Sequence, residues 1–461
     1  MTLPLIPHLP ALEGKRVTVL GLGLFGGGLG VTRFLVRSGA RVTVTDAKSE
    51  TELRESVEQL RPLPVTLRLG GHDEKDFRDA DLVVVNPAVP ETNPYLKLAR
   101  ALETEMNLFF KLCRAETVLG ITGSNGKTTT TTLAGEILKK HPRKVWIGGN
   151  IGVSLLESLP EIQPDHLVLL ELSSFQLENL GTIRRSPTIG AVLNLSPNHL
   201  DRHGTMENYV AAKRQIVTHH GCQTKILNWD DPITRGFADA SLAGNFFFSL
   251  KEKPPAGVWA HEERIETGGH DRIDVSRRKI PGAFNLANMA AAALITSPAA
   301  LEKWAWKAAC EEVFNTFPGV EHRLEFVTEK NGVKYYNDSK ATDAEATIAA
   351  LDTLPGPFVL ILGGFDKKTT WEAFAKVVAE KPVRAAVLMG ETAPAIEAAL
   401  RASPRAPEIV RVATLDEAVR VPARAGETVL LSPACASWGM FRNFTERGLL
   451  FKALVAALPP G

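Results

Sequence analysis

The run Gly123-Ser124-Asn125-Gly126-Lys127-Thr128-Thr129 sets two glycines, a lysine and paired hydroxyls side by side. Together these residue types can hold the phosphates of a nucleoside triphosphate. Glycines let backbone N–H groups turn onto phosphate oxygens, the lysine supplies a point charge, and the threonine after it can ligate Mg2+. The full phosphate-loop pattern has a glycine where this chain has Ile121, so the loop is tighter than that of a generic motor or GTPase. The bland alternative is a glycine turn beside a solvated lysine. The flanks argue against it, because Thr117–Ile121 reads as a short buried strand and Leu133–Leu138 as a helix with an apolar stripe.

A second glycine turn, Gly21-x-Gly23-x-x-Gly26, follows the strand Arg16–Leu20, and Asp46 stands 20 residues beyond it at the end of the strand Arg41–Thr45. A dinucleotide fold places its ribose ligand at such a position, so an NAD-dependent oxidoreductase is a rival reading at this point. Against it, Gly27, Gly28 and Gly30 loosen the start of the helix, and Phe25 is bulky where the chain would approach phosphate. Further candidates lie at strand ends, where α/β sheets bind ligands: Glu171 after Leu167–Leu170, and Asn194 after Ile189–Leu193. Asn285 and Asn288 share one face of a helix-like segment, placed to bond adenine or a carboxylate.

The elements that must position these groups alternate strand and helix throughout. A chain of 461 residues implies about three domains at roughly 150 residues each, here placed at 1–111, 112–319 and 320–461. Phe317-Pro318-Gly319 is the best linker candidate, since helix-forming sequence stops there and a strand pattern starts near Leu324. Phe358–Leu362 and Thr428–Leu431 are the clearest strands of the last part, and Lys251–Ile280 reads as irregular or hairpin structure. The expected fold class is α/β: a Rossmann-like N-terminal domain, a central P-loop ATPase-like domain with a mostly parallel sheet, and a C-terminal Rossmann-like domain.

Hydrophobic residues make up 44% and charged residues 23%, and the net charge is +1, which gives no long-range attraction to nucleic acid or an anionic membrane. Cys113, Cys222, Cys310 and Cys435 are far apart with no CxxC pair, as expected of free thiols in a reducing compartment. Met1–Pro10 lacks a basic segment ahead of an apolar one, and no apolar run is long enough to span a bilayer; cytoplasmic residence is the expectation.

Four further runs join the phosphate loop: Gly148–Gly152, Glu171–Glu178, Asn194–His203 and Tyr209–Lys213. With them the chain resembles the Mur ligase family, ATP-dependent amide ligases that build the peptide stem of peptidoglycan on a UDP-linked sugar. The later runs His322-Arg323, Asn337–Thr342, Leu362–Lys367 and Ser432–Ser437 are similar to those of the members that add D-glutamate. The resemblance is collinear through all three parts. It implies UDP-N-acetylmuramoyl-L-alanine and D-glutamate as partners, ATP with two Mg2+ ions, and a monomer.

By the same resemblance Gly123 to Thr129 with Asn285, Arg323 and Asp338 would bind ATP. Lys127, Glu171, His199 and Lys213 would be catalytic, with Thr128, Glu171, His199 and Lys213 at the metals. Asp46, Lys48 and Asn150 would hold the UDP-sugar, and Lys367, Ser437 and Phe444 the D-glutamate. In Mur ligases the lysine matching Lys213 is carbamylated by CO2, a reaction that requires a neutral amine. Surroundings that depress its pKa are therefore expected, with a nearby cation as one cause. Arg323 and Asp338 in the last part imply domain closure during the reaction. Phe25 with Gly26–Gly28, and Asn198 where an acidic residue is common, depart from the family pattern. A ligase for another amino acid, or a nucleotide-binding scaffold without turnover, would share the phosphate loop.

Overall fold

The structure is a computed structural model that describes residues 12–23, 27–151, 154–239, 244–268, 271–297, 305–366 and 370–459. Phe25, Gly26 and Lys367 lie outside them. The chain forms two compact units, one of residues 1–276 and 287–314, the other of 277–286 and 315–461. The helix Trp306–Thr316 stops just before the expected linker Phe317–Gly319, which falls within the second unit.

Among the described residues the first unit holds two sheets. In the first are β1 (Arg16–Leu20), β2 (Arg41–Asp46), β3 (Val65–Leu69), β4 (Leu82–Val85) and β5 (Leu102–Thr104), all parallel in the order β3-β2-β1-β4-β5. The order reverses direction between β1 and β4, and a crevice opens at the carboxyl ends of strands beside such a switch point. The second sheet contains β6 (Thr117–Thr122), β7 (Val145–Gly149), β8 (Leu167–Glu171), β9 (Ile189–Val192), β10 (Thr224–Asn228), β11 (Asn245–Ser249), β12 (Gly257–His261), β13 (Arg264–Thr267) and β14 (Arg272–Asp274). Their order is β14-β13-β12-β11-β10-β9-β6-β8-β7, parallel from β7 to β12 and antiparallel through β13 and β14. The segment read as hairpin is thus the ribbon β12–β14. Apolar residues of the two sheets, from Val19 and Val44 to Val168 and Leu170, share one continuous core.

The second unit contains β15 (Glu325–Lys330), β16 (Val333–Asn337), β17 (Phe358–Gly363), β18 (Val383–Met389), β19 (Glu408–Arg411) and β20 (Thr428–Leu431), ordered β15-β16-β20-β17-β18-β19. Among the described residues only β15 is antiparallel to its neighbour. Side chains of β17 alternate between two cores: Phe358, Leu360 and Leu362 enter one, Val359 and Ile361 the other. A strand buried on both faces needs an unbroken apolar run. Each such side chain contributes about 1.5–3 kcal/mol of transfer free energy, which is why the register of this strand tolerates no polar residue.

Candidate active site

β6 lies inside its sheet between β9 and β8 and delivers the phosphate loop at its carboxyl end. Gly126 has φ +83°, and a Cβ added there would sit 2.3 Å from Asn288 Oδ1. One at Gly123 would sit 2.9 Å from Leu193 Cβ. Asn194 brackets the loop, its Oδ1 accepting the Asn125 N–H at 2.8 Å and its Nδ2 donating to Asn125 O at 3.1 Å. The Ser124 hydroxyl is within 2.9 Å of Ser196 O and of the Tyr209 hydroxyl, and it accepts the Ser196 N–H. The Lys127 ammonium bends back over its own loop, donating to the carbonyls of Gly123 and Ser124 at 2.8 Å each. Half-buried Thr128 and buried Thr129 follow it into the helix Lys127–Leu138, whose N-terminal dipole favours an anion here.

Glu171 ends β8 opposite Ile121 of β6 and Gly149 of β7. It is buried; Oε1 accepts from Asn150 Nδ2 at 3.0 Å, whereas Oε2 has no hydrogen-bond partner among the described residues. A buried carboxylate oxygen without a donor is costly, and it is the ligand a hard divalent cation takes. The donor set of Glu171 and the Thr128 hydroxyl fits Mg2+.

Lys213 lies on the helix Met206–Arg214, which starts where Thr205 accepts the Asn208 N–H. Only 2% exposed, its ammonium donates to Thr122 Oγ1 at 3.0 Å. Thr122 in turn donates to Leu172 O at 2.7 Å. Burial first, and then the Lys127 charge, push the Lys213 pKa well below the ordinary lysine value, with Glu171 opposing. The neighbouring cation expected from sequence is present, but desolvation is the larger cause. A neutral amine in this position is nucleophilic.

His199 is exposed, has φ +54°, and sets its ring edge-on to Phe175 at 5.1 Å. Its neighbour His203 is the buried one, with Nε2 3.0 Å from Ser174 Oγ and its ring stacked on Phe175.

At the first sheet, Asp46 is buried and holds the glycine turn: Oδ2 accepts the Gly23 N–H at 3.2 Å, and Oδ1 the Lys48 N–H at 2.9 Å. Lys48 itself is exposed. Asn86, after β4, donates from Nδ2 to Gly21 O at 3.3 Å, so the two turns beside the switch point are tied together.

In the second unit Asp338 follows β16 and is buried. Its Oδ2 accepts from Ser432 Oγ at 2.8 Å and its Oδ1 accepts the Leu324 N–H at 3.2 Å. Burial raises its pKa to about 7 against the pull of Ser432 and Arg323. Arg323 Nε is buried without a hydrogen-bond partner among the described residues. Ser437 is buried, and half-buried Phe444 opens the helix Phe444–Ala456, capped by Asn443. Asn285, also in this unit, donates to Pro281 O at 2.7 Å, while Asn288 in the first unit accepts from Thr130 Oγ1 at 3.2 Å. Glu321, His322 and Glu325 cluster within metal-binding reach, but Lys452 already bridges the two carboxylates at 2.8 and 2.6 Å.

Sequence reasoning named Asn194 only as a strand-end candidate and gave no role to Tyr209, Thr122 and Arg447, all of which shape these sites. Asn194 and Tyr209 brace the loop, Thr122 receives Lys213, and Arg447 is a wholly buried arginine bonded to Ser339 and Cys435. Asn194 alone carried a signal, as a polar residue ending an apolar strand.

Three family models match the chain: Mur ligase MurD-like, N-terminal domain, at residues 15–107; Mur ligase middle domain, at 121–296; and Mur ligase, glutamate ligase domain, at 322–435. A relative from Roseiflexus sp. named UDP-N-acetylmuramoylalanine--D-glutamate ligase is 43% identical, covering 96% of this chain and 99% of its own. Relatives of the same name from Symbiobacterium thermophilum, 43% identical over 96% of this chain and 98% of theirs, and Caldanaerobacter subterraneus, 41% identical over 97% and 99%, agree. Among solved structures, a UDP-N-acetylmuramate-alanine ligase from Thermotoga maritima shares the fold with a TM-score of 0.64 at 19% identity, covering 96% of this chain and 100% of its own. A MurF ligase from Thermotoga maritima in complex with ADP does so with a TM-score of 0.58 at 18% identity, over 90% of this chain and 95% of its own. The chain belongs to the Mur ligase family.

Proposed function

We propose that the protein is an ATP-dependent amide ligase that joins D-glutamate to UDP-N-acetylmuramoyl-L-alanine in peptidoglycan precursor synthesis. The observation that carries the reading is identity of 41–43% over at least 96% of the chain to relatives named for that reaction. The domain limits 1–111, 112–319 and 320–461 enclose the three matched regions. Cytoplasmic residence agrees with the role; among the described residues no helix is long and apolar enough to cross a membrane.

A carboxylate is a poor acyl donor, so the L-alanyl carboxylate first attacks the γ-phosphate of ATP, giving an acyl phosphate and ADP. The D-glutamate amine then adds to the acyl carbon, and inorganic phosphate leaves the tetrahedral intermediate with the new amide formed. Both steps gather negative charge, which preset cations stabilise best. Lys127 is assigned to the β- and γ-phosphates, within the N–H groups of Gly123 to Thr129. Thr128 and Glu171 are assigned to Mg2+, which would screen phosphate charge when bound. Lys213, as its carbamate, and His199 are assigned to a second ion; the burial of Lys213, which lowers its pKa, supports the modification. Asn285, Arg323 and Asp338 are assigned to ATP, the arginine on phosphate and the aspartate on ribose. Asp46, Lys48 and Asn150 are assigned to the UDP-sugar, and Ser437, Phe444 and Lys367 to D-glutamate. The protein is taken to act as a monomer.

The test is incubation of the purified protein with ATP, Mg2+ and UDP-N-acetylmuramoyl-L-alanine plus D-glutamate, L-lysine, meso-diaminopimelate or L-alanine in turn, following phosphate release and product mass. Product with D-glutamate alone is expected. Product with another amino acid would keep the mechanism and overturn the specificity; none with any would overturn the ligase reading.

A further inference from the structure

We propose that Arg202 is a positioning residue for the sugar nucleotide, tying the turn Pro87–Val89 of the first sheet to the loop that carries His199. The guanidinium donates from Nη1 to Pro87 O and from Nη2 to Val89 O at 3.4 Å, and its Cζ lies 4.0 Å from the Phe175 ring centroid. Those carbonyls belong to the turn after β4. The turn abuts the glycine turn after β1, since a Cβ on Gly21 would meet Asn86 Cβ at 2.9 Å and Val89 Cγ2 at 3.4 Å. It therefore borders the switch-point crevice.

On its other side Arg202 is embedded in the central site. Its N–H donates to His199 O at 3.1 Å, closing the turn that keeps His199 at φ +54°. Phe175, beneath the guanidinium, packs against both His199 and His203. The His203 ring meets Tyr209, whose hydroxyl reaches Ser124 of the phosphate loop. One side chain thus fixes the distance between the edge of the crevice and the loop beside the reacting phosphates. A planar, always charged fork can grip two carbonyls and cover a ring at once, which a lysine cannot.

The inference rests on the reading that the crevice between β1 and β4 takes the UDP group. Steady-state constants for Arg202→Met and Arg202→Lys should be measured with each substrate varied, alongside calorimetric binding of UDP-N-acetylmuramoyl-L-alanine to wild type, both variants and Asp46→Ala. Arg202→Met is expected to raise KM and Kd for the sugar nucleotide by about tenfold, the scale of one lost charge-assisted hydrogen bond, with KM for ATP changed by less than about twofold. Arg202→Lys should recover part of the loss. Wild-type affinity in both variants would overturn the inference, as would parallel rises in every KM with a fall in Tm, the mark of a structural role. If Arg202→Met does not fold, the Arg202→Lys constants alone decide between these outcomes. Asp46→Ala that binds the sugar nucleotide like wild type would overturn the crevice reading instead.

Discussion

Asn150 holds Glu171 twice, donating its backbone N–H to Glu171 O at 2.8 Å and its side-chain amide to Glu171 Oε1 at 3.0 Å. Gly149 makes this approach possible, because a Cβ on it would lie 2.3 Å from Glu171 O. The carboxylate orientation that leaves Oε2 unbonded is therefore set by Asn150, a residue the family resemblance assigns to the UDP-sugar.

The two roles predict different kinetics for Asn150→Ala. If Asn150 orients a metal-binding carboxylate, kcat should fall at least about tenfold and the Mg2+ concentration for half-maximal rate should rise. Glu171→Gln should lose more, about a hundredfold or beyond, since preset charge near the phosphates is removed. A change confined to KM for the sugar nucleotide would refute the orienting role.

Gly126 and Gly426 have nearly equal φ, +83° and +88°, but only Gly126 is crowded; nothing lies within 4 Å of a Cβ on Gly426. Alanine at either pays the left-handed backbone cost of about 1–2 kcal/mol. Alanine at 126 must also displace the Asn288 amide, which is bonded to Thr130. Gly126→Ala should therefore abolish detectable ATP binding by calorimetry, while Gly426→Ala lowers Tm by a few degrees and leaves binding intact. Equal effects would show that backbone strain alone makes glycine necessary at position 126.

Asp338 carries a pH signature. A carboxyl whose folded pKa exceeds its unfolded value takes up a proton on folding, so its contribution is full below pH 3.8 and is lost as pH rises to about 7. Asp338→Asn should become progressively more stable relative to wild type across that window, seen as a growing Tm difference. If Asp338 holds the ribose as proposed, its ionised form is the stronger acceptor from ribose hydroxyls. KM for ATP in the wild type should accordingly fall as pH rises through about 7. A wild-type KM independent of pH there would rule out this role for its ionisation.

How much of this was legible depends on whether a constraint is local. The phosphate loop was readable because glycine, lysine and hydroxyl must be neighbours for one helix N-terminus to hold phosphate. Phe358–Leu362 was readable because burial on both faces forces an unbroken apolar run. The ribbon β12–β14 showed only as irregular or hairpin sequence, since strands of 5, 4 and 3 residues are too short to carry a clear alternation. Asn194 lies 69 residues from the Asn125 it brackets, and Lys213 lies 91 from Thr122, so both depend on strand order. Taken alone, Lys213 reads as a solvated helix lysine; its helix packs against the helix Ser174–Thr182 and brings the ammonium to Thr122 at the end of β6.

Arg447 was hidden for the same reason, and it gives the sharpest stability test. Fully buried, it donates from Nε to Ser339 Oγ at 3.0 Å, from Nη2 to Ser339 O at 2.7 Å, and from Nη1 and Nη2 to Cys435 O at 3.2 Å. Burial lowers its pKa to about 10, so it stays charged at neutral pH. Two effects compete on its removal. A buried charge is expensive to desolvate, and an apolar replacement can be neutral; yet Arg447→Met would leave the Ser339 and Cys435 carbonyls without these donors. The loss of these bonds should win, at about 3 kcal/mol, because four donated bonds are lost and methionine replaces none. Arg447→Lys can restore only part of that, as one ammonium cannot span both carbonyls and the hydroxyl. The order wild type, Arg447→Lys, Arg447→Met in thermal stability is expected, with KM for D-glutamate rising in the same order if Ser437, two residues from Cys435, holds that substrate as proposed. A methionine variant as stable as wild type would mean that relief of desolvation outweighs the network.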